Sequence, residues 1–283
     1  MTCTKLRFSF LALALLLFYL PAAYGQQIDW LNDLDRAQQI ARQTGKPVLY
    51  DFTAAWCGPC RRIDREFWPK AEVVELSKQF VCVKVNFDTE KAFAAKYGIK
   101  AIPNVVFTDP WGRGLAGQKG FGSGTTTEIL DKIKLLPKDF SGLKDAGNAL
   151  EADEKNLDAL HQFATFYQER KFFWLGNSFY ERLLYLEADP SKRESILLNL
   201  GFNHIRMGEP AEAIVRFENL QKEYPKSAQN DLYLHGLVVA NVKKKQQRVA
   251  NKFLSELKLK FPSSVYVQHA ETSIAELAGG RER

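Results

Sequence analysis

Val48–Arg62 reads VLYDFTAAWCGPCRR. Its first six residues, Val48–Thr53, are a short apolar run rich in β-formers, the pattern of a buried strand. Trp56–Phe67 follows as a helix bounded by Pro69. Cys57 and Cys60 therefore meet at the start of a helix, and at that spacing they can close a disulfide across one turn. A thiol at a helix N-terminus has its thiolate favoured by unpaired N–H groups and by the positive end of the dipole. That predicts Cys57 as the attacking thiol, with a depressed pKa. Cys60, one turn inside, is expected to be more shielded and to resolve a mixed disulfide by attacking Cys57. Pro59 suits a first-turn position, where its missing N–H costs nothing. Arg61 and Arg62 either add positive charge at the thiols or are simply solvated.

Two other readings of the cysteine pair compete. Half of a zinc site needs two more ligands. Once a leader is removed, the N-terminal half holds only Cys82 besides, and the four histidines, at 161, 204, 235 and 269, all fall further along. A permanent structural disulfide would close so small a loop that it contributes little chain entropy. Cys82 alternates with Val81 and Val83 in a valine-rich run and is most simply a small buried hydrophobe.

Outward from this segment the pattern alternates. Gln27–Gln43 has Leu31, Leu34, Ala37 and Ala41 at helical spacing, stopped by Gly45-Lys46-Pro47. Downstream the expected elements are a helix over Ala71–Lys78, a strand over Phe80–Phe87 and a helix over Thr89–Tyr97 ending at Gly98. A strand at Asn104–Thr108, a turn at Asp109–Gly112, a strand at Leu115–Phe121 and a helix over Thr125–Leu136 complete the set. Strands alternating with helices imply a βαβ unit and an α/β sheet.

The pattern changes near Pro137. From about Leu143 there is no strand-like run. Instead Leu197, Leu200-Gly201, His204, Ala213, Phe217, Leu220 and Pro225 fall at the offsets of a 34-residue helical repeat. Leu234, Leu237, Ala250, Leu254, Leu257 and Pro262 repeat it loosely, with Val238 where Gly201 stood. A weaker unit runs from Leu157 to Pro190 and includes Phe163, Phe166, Tyr167, Phe179 and Leu183. Gly201 and Ala213 would let two helices approach closely. Lys243-Lys244-Lys245 reads as a solvated turn, and Phe172-Phe173-Trp174 as core or as a contact with the N-terminal domain.

The N-terminus reads as a secretory leader. Lys5 and Arg7 precede an apolar run at Phe8–Leu20, Pro21 breaks it, and Ala23-Tyr24-Gly25 offers small residues for a cut. The alternative is an uncleaved membrane anchor. Cys3 lies ahead of the apolar run, which argues against a lipid-modified cysteine. The whole chain has 283 residues and 39 Lys+Arg against 33 Asp+Glu, a balance of +6. Cleavage after Gly25 leaves 37 cations against the same 33 anions, a balance of +4, and three cysteines. So mild a charge does not imply nucleic-acid binding. So few cysteines exclude a disulfide-stapled scaffold, although an exported chain meets an oxidising compartment.

Residues 28 to about 136 resemble the thioredoxin family, on five elements in order. VLYDFTAAWCGPCRR matches the strand-to-active-site segment. Asp51 matches the buried acid thought to help deprotonate the resolving thiol, and Lys84 the lysine that accompanies it. Ile102-Pro103 matches the Ile–cis-Pro beside the dithiol, and Gly122 a late glycine near the substrate groove. The resemblance implies a cis Pro103 and an Ile102 backbone that pairs with an extended substrate strand. It implies Trp56 at the same groove. Thr53 departs from it, standing where many thioredoxins have a second tryptophan. IDWLNDLDRAQQIARQTGKPVLYDF, which opens at Ile28, looks more like the C-terminal periplasmic domains of DsbD-type reductases. Residues 143–283 resemble tetratricopeptide repeats, which present a concave surface to protein partners.

These readings divide the chain into a leader at 1–25, an α/β thioredoxin-like domain at 26–140 and an all-α repeat domain at 141–283. The expected activity is reduction of protein disulfides outside the cytoplasm, in the periplasm, by Cys57 and Cys60. Asp51 takes the proton of Cys60, and Gly58-Pro59 is the pair found in reducing thioredoxins. No cofactor beyond the Cys57–Cys60 disulfide and no metal is expected. Expected partners are client proteins with disulfides, a membrane-bound electron donor and a protein held by the repeats. The competing expectation is a binding, assembly or chaperone-like protein in which the thioredoxin-like domain is mainly a scaffold.

Overall fold

The computed structural model describes residues 27–122 and 124–279. The leader read at 1–25 lies outside the described residues. The chain divides between Ser141 and Gly142 into two compact units, an α/β unit followed by a helical one.

The first unit is built on strands β1 (Trp30–Leu31), β2 (Val48–Thr53), β3 (Val81–Asn86), β4 (Asn104–Thr108) and β5 (Gly114–Lys119). They form one sheet in the order β1-β3-β2-β4-β5. β2 and β3 run parallel, and helices α2 (Gly58–Glu66) and α3 (Ala71–Ser77) lie between them in sequence. Parallel neighbours need such a crossover. β4 is antiparallel to β2 and β5 to β4, the geometry of a hairpin. The central strands carry near-continuous apolar runs because they are buried on both faces. Val48, Tyr50 and Phe52 of β2, Val83 and Val85 of β3 and Val106 of β4 form one core with Ala37 and Ala41. Those alanines lie on α1 (Leu34–Thr44). Helices α4 (Lys91–Lys96) and α5 (Thr125–Leu135) complete the unit.

The helix expected from Gln27 begins only at Leu34. Asp33 caps it, its side chain accepting from the Arg36 N–H at 2.9 Å. Leu31, although at helical spacing, belongs instead to the short edge strand β1, where Trp30 and Leu31 pair with Cys82 and Val83. Gly45, at φ 71°, ends α1 with its N–H on the Ala41 carbonyl at 2.8 Å, a left-handed position that glycine adopts freely.

The second unit contains α6 (Lys144–Ala152), α7 (Leu157–Glu169), α8 (Phe173–Leu186), α9 (Pro190–Met207), α10 (Pro210–Glu223), α11 (Asn230–Lys243), α12 (Gln247–Lys260) and α13 (Val265–Gly279). Consecutive helices pack on one another. A Cβ at Gly201 of α9 would stand 2.8 Å from Cζ of Phe217, and one at Gly236 of α11 only 2.4 Å. The Phe217 ring of α10 is thus laid against the bare backbone of two neighbouring helices. Phe163 and Phe179 stack with ring centroids 5.0 Å apart between α7 and α8.

Two readings change. Pro190 is the first residue of α9, capped by Asp189, whereas Pro225 and Pro262 follow the ends of α10 and α12. Pro190 therefore opens a helix rather than closing a repeat. Trp174 is 50% exposed, so it is not a core residue.

Candidate active site

The site is built at the end of β2. Cys57 caps α2, and its Sγ accepts the Cys60 N–H at 3.2 Å. The Arg61 N–H bonds the Cys57 carbonyl at 3.2 Å, so the cap also closes the first helical turn. The helix expected from Trp56 accordingly starts at Gly58, with Pro59 in its first turn. Cys57 and Cys60 form a disulfide with Cα atoms 5.2 Å apart. Cys60 was expected to be the more shielded, yet the two are equally covered, at 2% and 1% exposure.

Trp56, beside the disulfide, is 63% exposed. Its indole N–H is held between the two Asp88 oxygens at 3.0 and 3.2 Å. The Ile102–Pro103 peptide is cis. Asn104, which follows, pairs with Phe52 of β2 and with Lys119 of β5. That register sets Pro103 at the β2 end that leads into the cysteine loop. The Gly120 N–H reaches the Pro103 carbonyl at 2.9 Å, which brings the segment leading to Phe121 and Gly122 to the same end. Gly122 is exposed, and its N–H donates to Thr125 Oγ1 at 3.1 Å.

Asp51 lies within β2, fully buried, opposite Lys84 of β3. Its Oδ2 accepts from Lys84 Nζ at 2.5 Å and from the Trp68 indole at 2.9 Å. Its Oδ1 has no partner among the described residues. Burial pushes the carboxyl above the usual carboxylate range, and the Lys84 charge pulls against that only in part. Lys84 also pairs with Asp64 of α2. Its Nζ lies 4.5 Å from the Trp30 ring centroid and 5.8 Å from that of Trp68. Trp30 and Trp68 meet edge to face at 5.2 Å.

Trp30, Asp64 and Trp68 were not singled out from the sequence. Cys60 and Asp64 lie four residues apart on α2, a spacing that stacks side chains on one helix face, and Trp68 follows in the turn just beyond the helix end. Thr53, Ala54, Ala55, Arg61, Asp64 and Lys84 help to line a cleft of about 670 Å³ next to the cysteine loop. Thr53, the departure noted from the thioredoxin pattern, puts a small side chain in that wall. Cys82 pairs with Leu49 and Trp30 in the sheet, and burial pushes its thiol up to about 12. Among the described residues no cluster of His, Cys, Asp or Glu could hold a metal ion.

A family model described as thioredoxin-like matches residues 29–110. Those residues form a thioredoxin-like domain. A tetratricopeptide-repeat model matches residues 196–227, which span most of α9 and all of α10 in the helical unit. Over 79 residues the chain is 39% identical to a thioredoxin H-type of Oryza sativa subsp. indica, covering 27% of this chain and 60% of that protein. Over 61 residues it is 49% identical to a thioredoxin of Streptomyces clavuligerus, covering 21% of this chain and 53% of that one. The chain thus spans somewhat over half the length of these two relatives. A solved thioredoxin of Schistosoma mansoni aligns at 29% identity and a TM-score of 0.31, covering 40% of this chain and 97% of that one. In the thioredoxin-like domain, then, a disulfide caps a helix, a cis-proline stands at the same end of the sheet, and a buried carboxyl lies in the strand before it.

Proposed function

We propose that this chain is an extracytoplasmic, periplasmic thiol–disulfide oxidoreductase that reduces protein disulfides, with its helical repeats holding a protein partner. The Cys57–Cys60 disulfide at the start of α2 carries the reading. In the proposed cycle the reduced Cys57 thiolate attacks a client disulfide. A Cys57–client bond forms, the client S–S bond breaks, and one client sulfur leaves as a thiol. Asp51 accepts the proton of Cys60, and the Cys60 thiolate then attacks Cys57 Sγ. The second client sulfur leaves, two electrons have passed to the client, and the chain is left with its own disulfide. A membrane-bound dithiol donor would restore the two thiols. Trp56, Ile102, Pro103 and Gly122 frame the client strand in this reading, and Lys84 holds Asp51 in place. The leader-like N-terminus supports the location, and Gly58-Pro59 supports the reducing direction.

The test is insulin reduction with dithiothreitol as electron source, by the wild type and by Cys57→Ser. Turnover in the wild type and none in Cys57→Ser supports the proposal. Absence of turnover in both, with client binding intact in Cys57→Ser, supports an assembly or chaperone-like protein instead.

A further inference from the structure

α2 carries two consecutive arginines, Arg61 and Arg62, both exposed to solvent and each hydrogen-bonded to a loop beside the disulfide. Arg61 Nη1 donates to the Ala55 carbonyl at 2.6 Å. Arg62 Nη2 donates to the Phe121 carbonyl at 3.1 Å, and its guanidinium lies 5.4 Å from the Phe121 ring centroid. Each side chain is tied to a different loop beside the disulfide, Arg61 to the β2–α2 loop and Arg62 to the Phe121–Gly122 segment. Among the described residues neither arginine has a carboxylate within 4.0 Å. A guanidinium has five N–H donors, so Arg62 keeps several of them after satisfying Phe121. Asp88 stands with Trp56, holding the indole, and Asp64 and Glu90 line the cleft beside Arg61, whereas Arg62 is tied to Phe121. The rim is therefore asymmetric: cation and phenyl ring at Phe121, anion and indole at Trp56.

We propose that Arg62, fixed by Phe121, selects clients whose disulfide cysteine is flanked by a carboxylate. This rests on the disulfide-exchange reading above and names the substrate class for it. A held guanidinium loses little side-chain freedom when it takes a carboxylate, and the planar fork accepts both oxygens at once. The redox step is the one already given, with client disulfide reduced and protein dithiol oxidised.

The test is single-turnover oxidation of the full, pre-reduced chain by synthetic peptides that each contain one internal disulfide. Three peptides differ only at the residues flanking the cysteines, which are all Glu, all Lys or all Ser. At low salt the wild type is expected to react about three- to tenfold faster with the Glu peptide than with the Lys peptide. The ratio should collapse in 0.5 M NaCl, a concentration chosen to screen exposed charges, since the screening length falls to a few ångströms near that salt. Arg62→Gln should bring the ratio to about one, Arg62→Glu should invert it, and Arg62→Lys should keep part of it. Equal rates with the Glu and Lys peptides in the wild type overturn the inference while leaving the exchange reading intact. No reaction with any of the three overturns the exchange reading itself. A Glu preference that persists unchanged in Arg62→Gln and Arg62→Glu also overturns it, because the selecting charge then lies elsewhere.

Discussion

Asp51 and Lys84 face each other across the parallel β2–β3 pair, and the lysine Nζ lies 2.5 Å from the buried carboxylate Oδ2. The pair is unequal: burial pushes the Asp51 carboxyl up by more than the Lys84 charge brings it down. Unfolded, the group titrates near its ordinary value of 3.8. Folded, it titrates higher, so between the two values the native state holds a proton that the unfolded state has lost. The contribution of this group to stability is then fully present below 3.8 and is lost as pH rises through the folded value. Asp51→Asn removes that decline. Urea midpoints of the variant should exceed those of the wild type increasingly as pH rises, with no gain in the acid range. A gain that does not vary with pH would contradict this. In single-turnover exchange at neutral pH the same variant should resolve mixed disulfides about a hundredfold more slowly, the usual scale of general-base assistance.

Trp68 gives the same carboxylate its second hydrogen bond. Trp68→Phe retains an aromatic ring against Trp30 but removes the donor at 2.9 Å. Leaving a buried acceptor short of a partner costs about 1–3 kcal/mol. Urea unfolding should show a loss of that size, and the Asp51 titration, followed by carboxyl NMR, should move further up. Unchanged stability and titration would mean that the indole acts only as packing.

In the helical unit the test lies at Gly236. A Cβ there would meet the Phe217 ring at 2.4 Å, inside any tolerable contact. Gly236→Ala should lower stability by about 1–3 kcal/mol, the usual scale of overpacking. Phe217→Leu in the same background should recover part of it, because it removes the ring that clashes. A neutral Gly236→Ala would show that α10 and α11 can move apart without cost.

Cys82 should stay silent. Buried in β3, with its thiol pushed up to about 12, it presents almost no thiolate at pH 8. Iodoacetamide treatment of the reduced native chain, read by peptide mapping, should modify Cys57 and reach Cys82 only after unfolding. Native labelling of Cys82 at the rate of Cys57 would give the third thiol an open path to reagents.

What could be read from the chain alone follows from how local each signal is. The dithiol, the strand ahead of it and the helix behind it depend on neighbours in sequence, and VLYDFTAAWCGPCRR carries them together. The Asp51–Lys84 pairing was legible only through a family resemblance, since the two residues are 33 positions apart. Trp30, Asp64 and Trp68 escaped because their roles arise where β1, α2 and β3 meet. Trp30 was further hidden by the helical spacing of Leu31 and Leu34, which Asp33 interrupts by capping α1. In the repeats, Gly201 stood out by its offset from Leu200, whereas Gly236 sits at no expected repeat position. Its need for a bare backbone comes from a ring on the neighbouring helix. Pro190 matched the repeat spacing, although it opens a helix and the other two prolines follow one.

The central claim is that Cys57 and Cys60 act as a reducing dithiol, and its most direct test is the equilibrium midpoint of that pair. The full chain would be poised in dithiothreitol and glutathione buffers, and the thiol state of Cys57 read by mass spectrometry. A midpoint near that of thioredoxin, about −270 mV, is the predicted result, and one near about −120 mV, the strongly oxidising end of the thioredoxin-like range, would contradict it.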